Sequence, residues 1–411
     1  MILPFPKNFY WGSSASSYQV EGNNHNDWSK WEKEHAPILA KNAKKIWQSW
    51  QEEQFPEMFL PENYISGKAC DHYNRFEEDF DIAKSLSHNA LRFSIEWSRV
   101  EPEEGKFNEK EIEHYRQVAL ALRQRGIEPF VTLWHWTNPL WLPRWSSERV
   151  VSCFAEYTKK IVSALKDEVK FWITLNESEV YSSGAHIEIL WPPTGQNFIS
   201  YFLGTNNLIR AHREAYKIIK NIRPEAQVGI ATNNVYFEAY KNRLSNVLLK
   251  KIADWWVNFY FLDRIKDHQD FIGLNYYFHN RIKGLRFDQN ENKEISDLGW
   301  EIYPEGIYYA LKDLIRYKKP VYITENGLAD TDDSKREKFI KEHLYWVHKA
   351  IQEGVDIRGY FHWSLLDNFE WDKGFWPRFG LVEVDYRTMG RRIRQSAKAY
   401  TEICKSNALN V

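Results

Sequence analysis

The chain has little cysteine. Cys70, Cys153 and Cys404 are its three thiols among 411 residues. They are odd in number and far apart, so neither a disulfide framework nor a cysteine metal site is expected. There is no apolar run long enough to cross a bilayer. The first residues, MILPFPKNFYWG, lack the basic start, apolar centre and small-residue cleavage site of an export signal. A cytoplasmic, reducing location without a membrane partner is therefore expected. Charge of one sign is also lacking: 55 basic against 56 acidic residues leave a formal net charge of −1. Such balance gives no support for nucleic acid or another polyanion as a partner. No Ser/Gly/Pro linker, repeat or low-complexity tract divides the chain, which predicts one domain over residues 1–411. The 13 histidines show no HExxH spacing, and no Gx4GK[ST] loop or GxSxG elbow is present. No metal and no cofactor are expected.

What is present is an ample supply of core residues, 43% of the chain, and 19 tryptophans. Tryptophan serves core packing. It also stacks on the C–H faces of sugar rings. Composition alone does not choose between these uses.

Short β-rich runs recur between helical stretches. Strands are predicted at 9–16, 89–97, 128–136, 170–177, 226–234, 270–277, 320–327 and 357–364. Helices are predicted at 109–126, 152–169, 200–224 and 335–354, the second capped by Ser152. Eight alternations predict an α/β fold, a single (β/α)8 barrel with its active site at the carboxyl ends of the strands. A doubly wound open sheet is the alternative, but no glycine-rich phosphate turn follows the first strand. The strand ends carry polar or aromatic residues: Arg92 and Glu96, His135-Trp136, Asn176-Glu177, Asn275-Tyr276-Tyr277, Glu325-Asn326 and His362-Trp363.

Glu177 ends strand four and Glu325 ends strand seven, on opposite walls of such a barrel. Two carboxyl groups flanking one bond suit glycoside hydrolysis. At ~5–5.5 Å the second carboxylate attacks directly and configuration is retained; at ~6.5–9.5 Å a water fits and configuration inverts. The sequence leaves that distance open. A nucleophile needs a cation and hydrogen-bond donors to stay ionised, which Arg92 and Tyr277 can offer Glu325. A general acid needs desolvation and a negative neighbour. Glu177, with Trp172, Tyr181 and Trp191 near it in sequence, meets that description.

The ordered set FYWGSSASSYQVEG (9–22), CDHYNRFEEDFDIAKSL (70–86), LRFSIEWSRVEPEEGKFNEK (91–110), TLWHW (132–136), TLNE (174–177), DFIGLNYY (270–277), YITENG (322–327) and GYFHWSLLDNFEWDKGFWPRFGLVEVDY (359–386) resembles glycoside hydrolase family 1, the β-glucosidases and their relatives. The resemblance implies a retaining double displacement on a small β-glycoside, with Glu325 as nucleophile and Glu177 as acid/base. It implies that Asn176 binds the sugar 2-hydroxyl and that Tyr277 bonds the nucleophile. Gln19, His135, Trp136, Trp363, Glu370 and Trp371 are implied to line the glycone site, with Arg92 and Asn275 supporting. Two positions depart from the family pattern. Ser178 follows Glu177 where proline is usual, and Thr137 follows Trp136 where aspartate is common. The chain is also short, with lean connections after strands five and six. These differences bear on the leaving group more than on catalysis. Rival readings are a 6-phospho-β-glycosidase of the same family and a non-catalytic sugar-binding barrel. Glu370 weighs against the first, because a carboxylate there repels a phosphate dianion. The presence of both carboxyl groups weighs against the second. A thioglucosidase replaces the acid/base Glu by Gln, which Glu177 does not match.

Overall fold

The computed structural model describes residues 1–188, 191–193 and 197–411. Eight parallel strands, β1 (Tyr10–Ser14), β2 (Ala90–Ser94), β3 (Glu128–Trp134), β4 (Phe171–Asn176), β5 (Gln227–Asn233), β6 (Phe271–Asn275), β7 (Val321–Asn326) and β8 (Ile357–Trp363), pair in sequence order. The ring closes where β8 pairs with β1, from Gly359 beside Tyr10 to Trp363 beside Ser14. That closure removes the open-sheet alternative. Each strand falls inside its predicted run.

Alternation along the strands divides the side chains between two cores. Phe130, Phe171, Phe271, Tyr322 and Phe361 point to the barrel axis with Tyr10 and form a closed aromatic floor. The Phe130 and Phe171 rings stack at 4.1 Å within it. Their sequence neighbours, including Val131, Trp172, Ile272 and Ile323, pack outward under the helices. Above the floor lies a buried polar layer of Arg92, Thr132, Asn176, Asn275 and Thr324. Every member of this layer is hydrogen-bonded to another member.

The helices needed below are α1 (Glu109–Gln124), α2 (Arg149–Leu165), α3 (Ser178–His186), α4 (Phe198–Ile222), α5 (Leu244–Ala253) and α6 (Arg336–Gln352). Helix α1 starts where the Asn108 side chain accepts from Lys110 N–H, and it stops at Gly126, whose φ is +70°. Helix α2 begins three residues before the predicted cap. Ser152 therefore lies inside it, and its hydroxyl donates back to the Arg149 carbonyl at 2.8 Å.

Two strands lose their regular register at the carboxyl end. Strand β4 shifts against β5 between Ile173 and Asn176. Strand β7 shifts against β6 between Ile323 and Glu325. Such irregularities re-aim side chains. They turn Asn176 and both Thr324 and Glu325 toward the axis.

Candidate active site

A cavity of about 400 Å³ opens at the carboxyl ends of the strands. Gln19, His135, Trp136, Asn176, Glu177, Tyr277, Glu325, Trp363, Glu370 and Trp371 all line it. Arg92 and Asn275 lie one layer deeper and reach the two carboxyl groups from below.

Glu325 receives Arg92 Nη1 on Oε1 at 2.5 Å and the Tyr277 hydroxyl on Oε2 at 2.9 Å. The same guanidinium donates to Asn176 Oδ1 at 2.6 Å and Thr132 Oγ1 at 3.0 Å, so its fork is fixed. Glu177 is the residue before α3 and has φ of +44°, in the left-handed region that side chains rarely adopt. Its own N–H is tied to the Ala231 carbonyl at 2.7 Å. Its Oε1 takes the Asn275 amide at 2.7 Å, and no cation among the described residues pairs with it. Trp136 and Trp371 share the left-handed backbone, with φ of +74° and +51°. Backbone held in this region concentrates at functional sites.

Burial pushes the Glu177 carboxyl up to about 8, and the charge of Glu325 adds to the rise. Burial also raises Glu325, but Arg92 and the Tyr277 hydroxyl oppose it. The contacts favour the carboxylate on Glu325 and the acid on Glu177, the division of labour that acid-assisted displacement needs.

On the far side, Gln19 Nε2 donates to Asn368 Oδ1 at 3.0 Å, the Phe369 carbonyl at 2.8 Å and Glu370 Oε2 at 3.3 Å. Gln19 Oε1 is left buried without a partner. His135 accepts from Asn176 Nδ2 at 3.0 Å, and its Nδ1 is likewise unpartnered. Burial, with Arg92 nearby, holds this imidazole well below its usual pKa and so neutral. Unpaired buried polar atoms facing a cavity are places for a ligand's hydroxyls. Glu370 makes no ion pair among the described residues: Lys373 is held by Asp372 at 2.9 Å, and Arg378 lies 3.5 Å from Asp367. Burial pushes Glu370 up to about 8 despite Lys373.

Several strand-end residues turn away from the cavity. His362 packs beside Tyr400 in the outer core, and Tyr276 donates to the Tyr303 carbonyl. Asn326 Oδ1 accepts from Tyr360, and Glu96 binds the hydroxyls of Ser98 and Thr137. Thr137 thus supplies a donor to a buried carboxylate that an aspartate would repel. Of the three aromatics near Glu177 in sequence, Trp191 lines the cavity, while Trp172 and Tyr181 lie in the outer core.

Other lining residues were not singled out from the sequence. Glu179 sits on the first turn of α3 with Oε2 buried and unpartnered. Asn233 ends β5, where the strand-end rule alone points to it. Trp256 and Tyr201 come from segments with no motif, and their rings stack at 5.9 Å.

Comparison with known proteins agrees with this geometry. The profile of "Glycosyl hydrolase family 1" matches residues 2–265 and 250–409. Beta-glucosidase A of Thermotoga maritima is 34% identical over an alignment of 465 positions that covers 99% of each chain. The alignment exceeds this chain's 411 residues, so the relative carries extra segments. Among solved structures, the β-glycosidase from Pyrococcus horikoshii is 38% identical, with a TM-score of 0.89 over 100% of this chain and 97% of the other. The Thermotoga maritima β-glucosidase in complex with glucoimidazole is 33% identical, with a TM-score of 0.90 over 99% and 100%. A matched profile across the chain and a whole-length likeness in structure make this protein a member of glycosyl hydrolase family 1.

Proposed function

We propose that the whole chain works as one retaining β-glycosidase, with Glu325 as nucleophile and Glu177 as acid/base, acting on small unphosphorylated β-glucosides or related sugars. The observation that carries this reading is the asymmetry of the two carboxyl groups. Glu325 has a guanidinium and a phenol on its two oxygens, whereas Glu177 has only an amide. In the first step Glu325 attacks the anomeric carbon while Glu177 gives its proton to the leaving oxygen. The bond to the leaving group breaks as the ester bond to Glu325 forms. That ester removes the charge that helps hold Glu177 protonated. Glu177 then becomes the stronger acid and, as carboxylate, takes a proton from the attacking water. Water adds to the anomeric carbon and Glu325 leaves as carboxylate. Two inversions leave configuration unchanged, as is general in this family.

Asn176 is suited to the sugar 2-hydroxyl, because it stands between His135 and Arg92 beside both carboxyl groups. Gln19, His135 and Glu370 are suited to the remaining hydroxyls, and Trp363 to the ring face. Lys373, the cation lining this end of the cavity among the described residues, is already held by Asp372, which favours a glycone without phosphate. A 2-deoxy-2-fluoro glucoside with a good leaving group should accumulate as an ester. Peptide mass spectrometry placing that ester on any residue but Glu325 would overturn the assignment.

A further inference from the structure

The rim of the cavity is apolar and exposed. On α5 and the turn that follows, Leu244, Leu248, Ile252 and Trp255 are 86%, 59%, 55% and 44% exposed. Their spacing puts them on one helical face. At the start of α4, Phe198, Ile199, Phe202 and Leu203 are 66%, 70%, 44% and 48% exposed. The two groups join at Trp256, whose ring meets Phe202 at 5.6 Å and Trp255 at 5.9 Å. Trp256 itself lines the cavity. At the far end of the band, Gly284 N–H bonds Asn246 of α5 at 3.0 Å, which ties the tip that carries Leu285, 86% exposed, to this helix. Isolated apolar side chains on a surface need no explanation, but a continuous band of this extent marks a contact.

Charge around the band identifies the occupant. Lys241, Arg243, Lys251, Lys283 and Arg286 are exposed on and beside it, and none has a carboxylate partner among the described residues. Of the neighbouring acids, Asp254 and Glu238 are already paired, with Lys250 and Arg281, and Asp288, two residues from Arg286, is left to set against these five cations. Leucine, phenylalanine and tryptophan flanked by unpaired lysine and arginine is the composition of a surface that lies in the headgroup region of an anionic bilayer. A second copy of the chain would press these cations against like charge. We infer that the protein docks reversibly on anionic lipid surfaces through this band, with the mouth of the active-site cavity facing the lipid. No helix among the described residues is long and apolar enough to span a membrane. The contact is peripheral, and it departs from the expectation of no membrane partner. Docked in this way, the cavity stands ready for β-glycosides whose leaving group is itself apolar and lipid-dissolved.

The test is co-sedimentation of the whole protein with phosphatidylcholine vesicles, with and without phosphatidylglycerol, at low and high salt. A binding readout does not depend on catalysis, so it is separate from the assignment of Glu325 and Glu177. The protein should pellet with the anionic vesicles at low salt and be released by high salt. A variant with Phe198→Ser, Ile199→Ser, Leu248→Gln and Ile252→Gln should bind at least about tenfold less, as should one with Lys241→Glu, Arg243→Glu and Lys251→Glu. Both should turn over a soluble nitrophenyl glucoside as the parent does. Failure of the parent to pellet with anionic vesicles overturns the inference, as does equal binding by either variant. So does a dimer of the parent in sedimentation equilibrium that both variants dissolve, since the band would then be a self-contact.

Discussion

Asn275 Nδ2 lies 2.7 Å from Glu177 Oε1 and 3.2 Å from Asn176 Oδ1. Its bond to Glu177 favours the ionised form of that carboxyl group. Asn275→Ala should raise the Glu177 pKa and move the alkaline limb of kcat/KM upward. It should slow hydrolysis of the ester more than its formation, because less of Glu177 is then ionised when the base is needed. A hydrogen bond to a charged group is worth about 1.5–3 kcal/mol, so the loss in deglycosylation should be about 10- to 100-fold. A pH profile unmoved by the change would sink this role.

Arg92 is 1% exposed and holds Glu325 on one side and Asn176 on the other. Its positive charge lowers the Glu325 pKa, and a nucleophile works above its pKa. Arg92→Met should therefore move the acid limb of activity to higher pH and lower kcat at every pH. Removing one member of a buried pair costs about 3–5 kcal/mol of stability unless the remaining charge is neutralised. Thermal melts across pH should show that cost shrinking as the medium becomes acid and Glu325 takes up a proton.

Glu177→Gln should discriminate among leaving groups. General acid help is worth roughly 10²–10⁴-fold and less for a leaving group that needs no proton. Disaccharides and alkyl glucosides should lose far more kcat/KM than dinitrophenyl glucosides. Equal losses across the series would argue against proton donation by this residue.

Glu370 should exclude phosphate. The parent should cleave aryl β-glucosides and be nearly inert to their 6-phosphates. Glu370→Ser should lose glucoside turnover, at about 0.5–1.5 kcal/mol for each neutral hydrogen bond to the sugar below about pH 8, and relax the exclusion by making room for the phosphate. Measured kcat/KM for both substrates in both proteins decides the matter. A parent that prefers the phosphate contradicts the reading.

Stability should fall as pH rises through neutrality. Glu177 and Glu370 are both pushed up to about 8 by burial, above the unfolded value, so between these limits the folded state binds more protons. Their contribution is complete below the unfolded pKa of about 4.3 and is lost by about pH 8. The neutral isosteres Glu177→Gln and Glu370→Gln should each raise stability near pH 8, on the order of 3 kcal/mol, and change it little near pH 5. Melting at the two pH values checks the sign.

The barrel was legible because its strands are short β-branched and aromatic runs at even spacing. Glu177 and Glu325 stood out because a carboxyl at the end of such a run is conspicuous. The direction of each side chain was not legible. His362 and Trp363 are neighbours at the end of β8, yet His362 packs by Tyr400 and Trp363 lines the cavity. Alternation normally predicts which is which, but the register shift in β7 aims both Thr324 and Glu325 inward. No run of residues carries the leaving-group side either. Glu179, Tyr201, Asn233 and Trp256 come from four segments that meet only in the fold. The apolar rim escaped notice for the same reason: its pieces, near 198–203, 244–255 and 285, are each too short to register as hydrophobic runs.

The stacked floor of Phe130, Phe171 and their neighbours closes the tube below the site and, among the described residues, leaves its mouth as the door. Traffic through one door is ordered. The sugar enters first and lies deepest, with the group it will lose between it and the exit. The lost group must depart before water can reach the ester, and the sugar must depart last. Every turnover is therefore a queue, last in and first out. Any alcohol that slips into the vacated outer place ahead of water will be joined to the sugar instead. A blind tube also admits only the tip of a longer chain, so such a chain would be shortened one unit at a time from that tip.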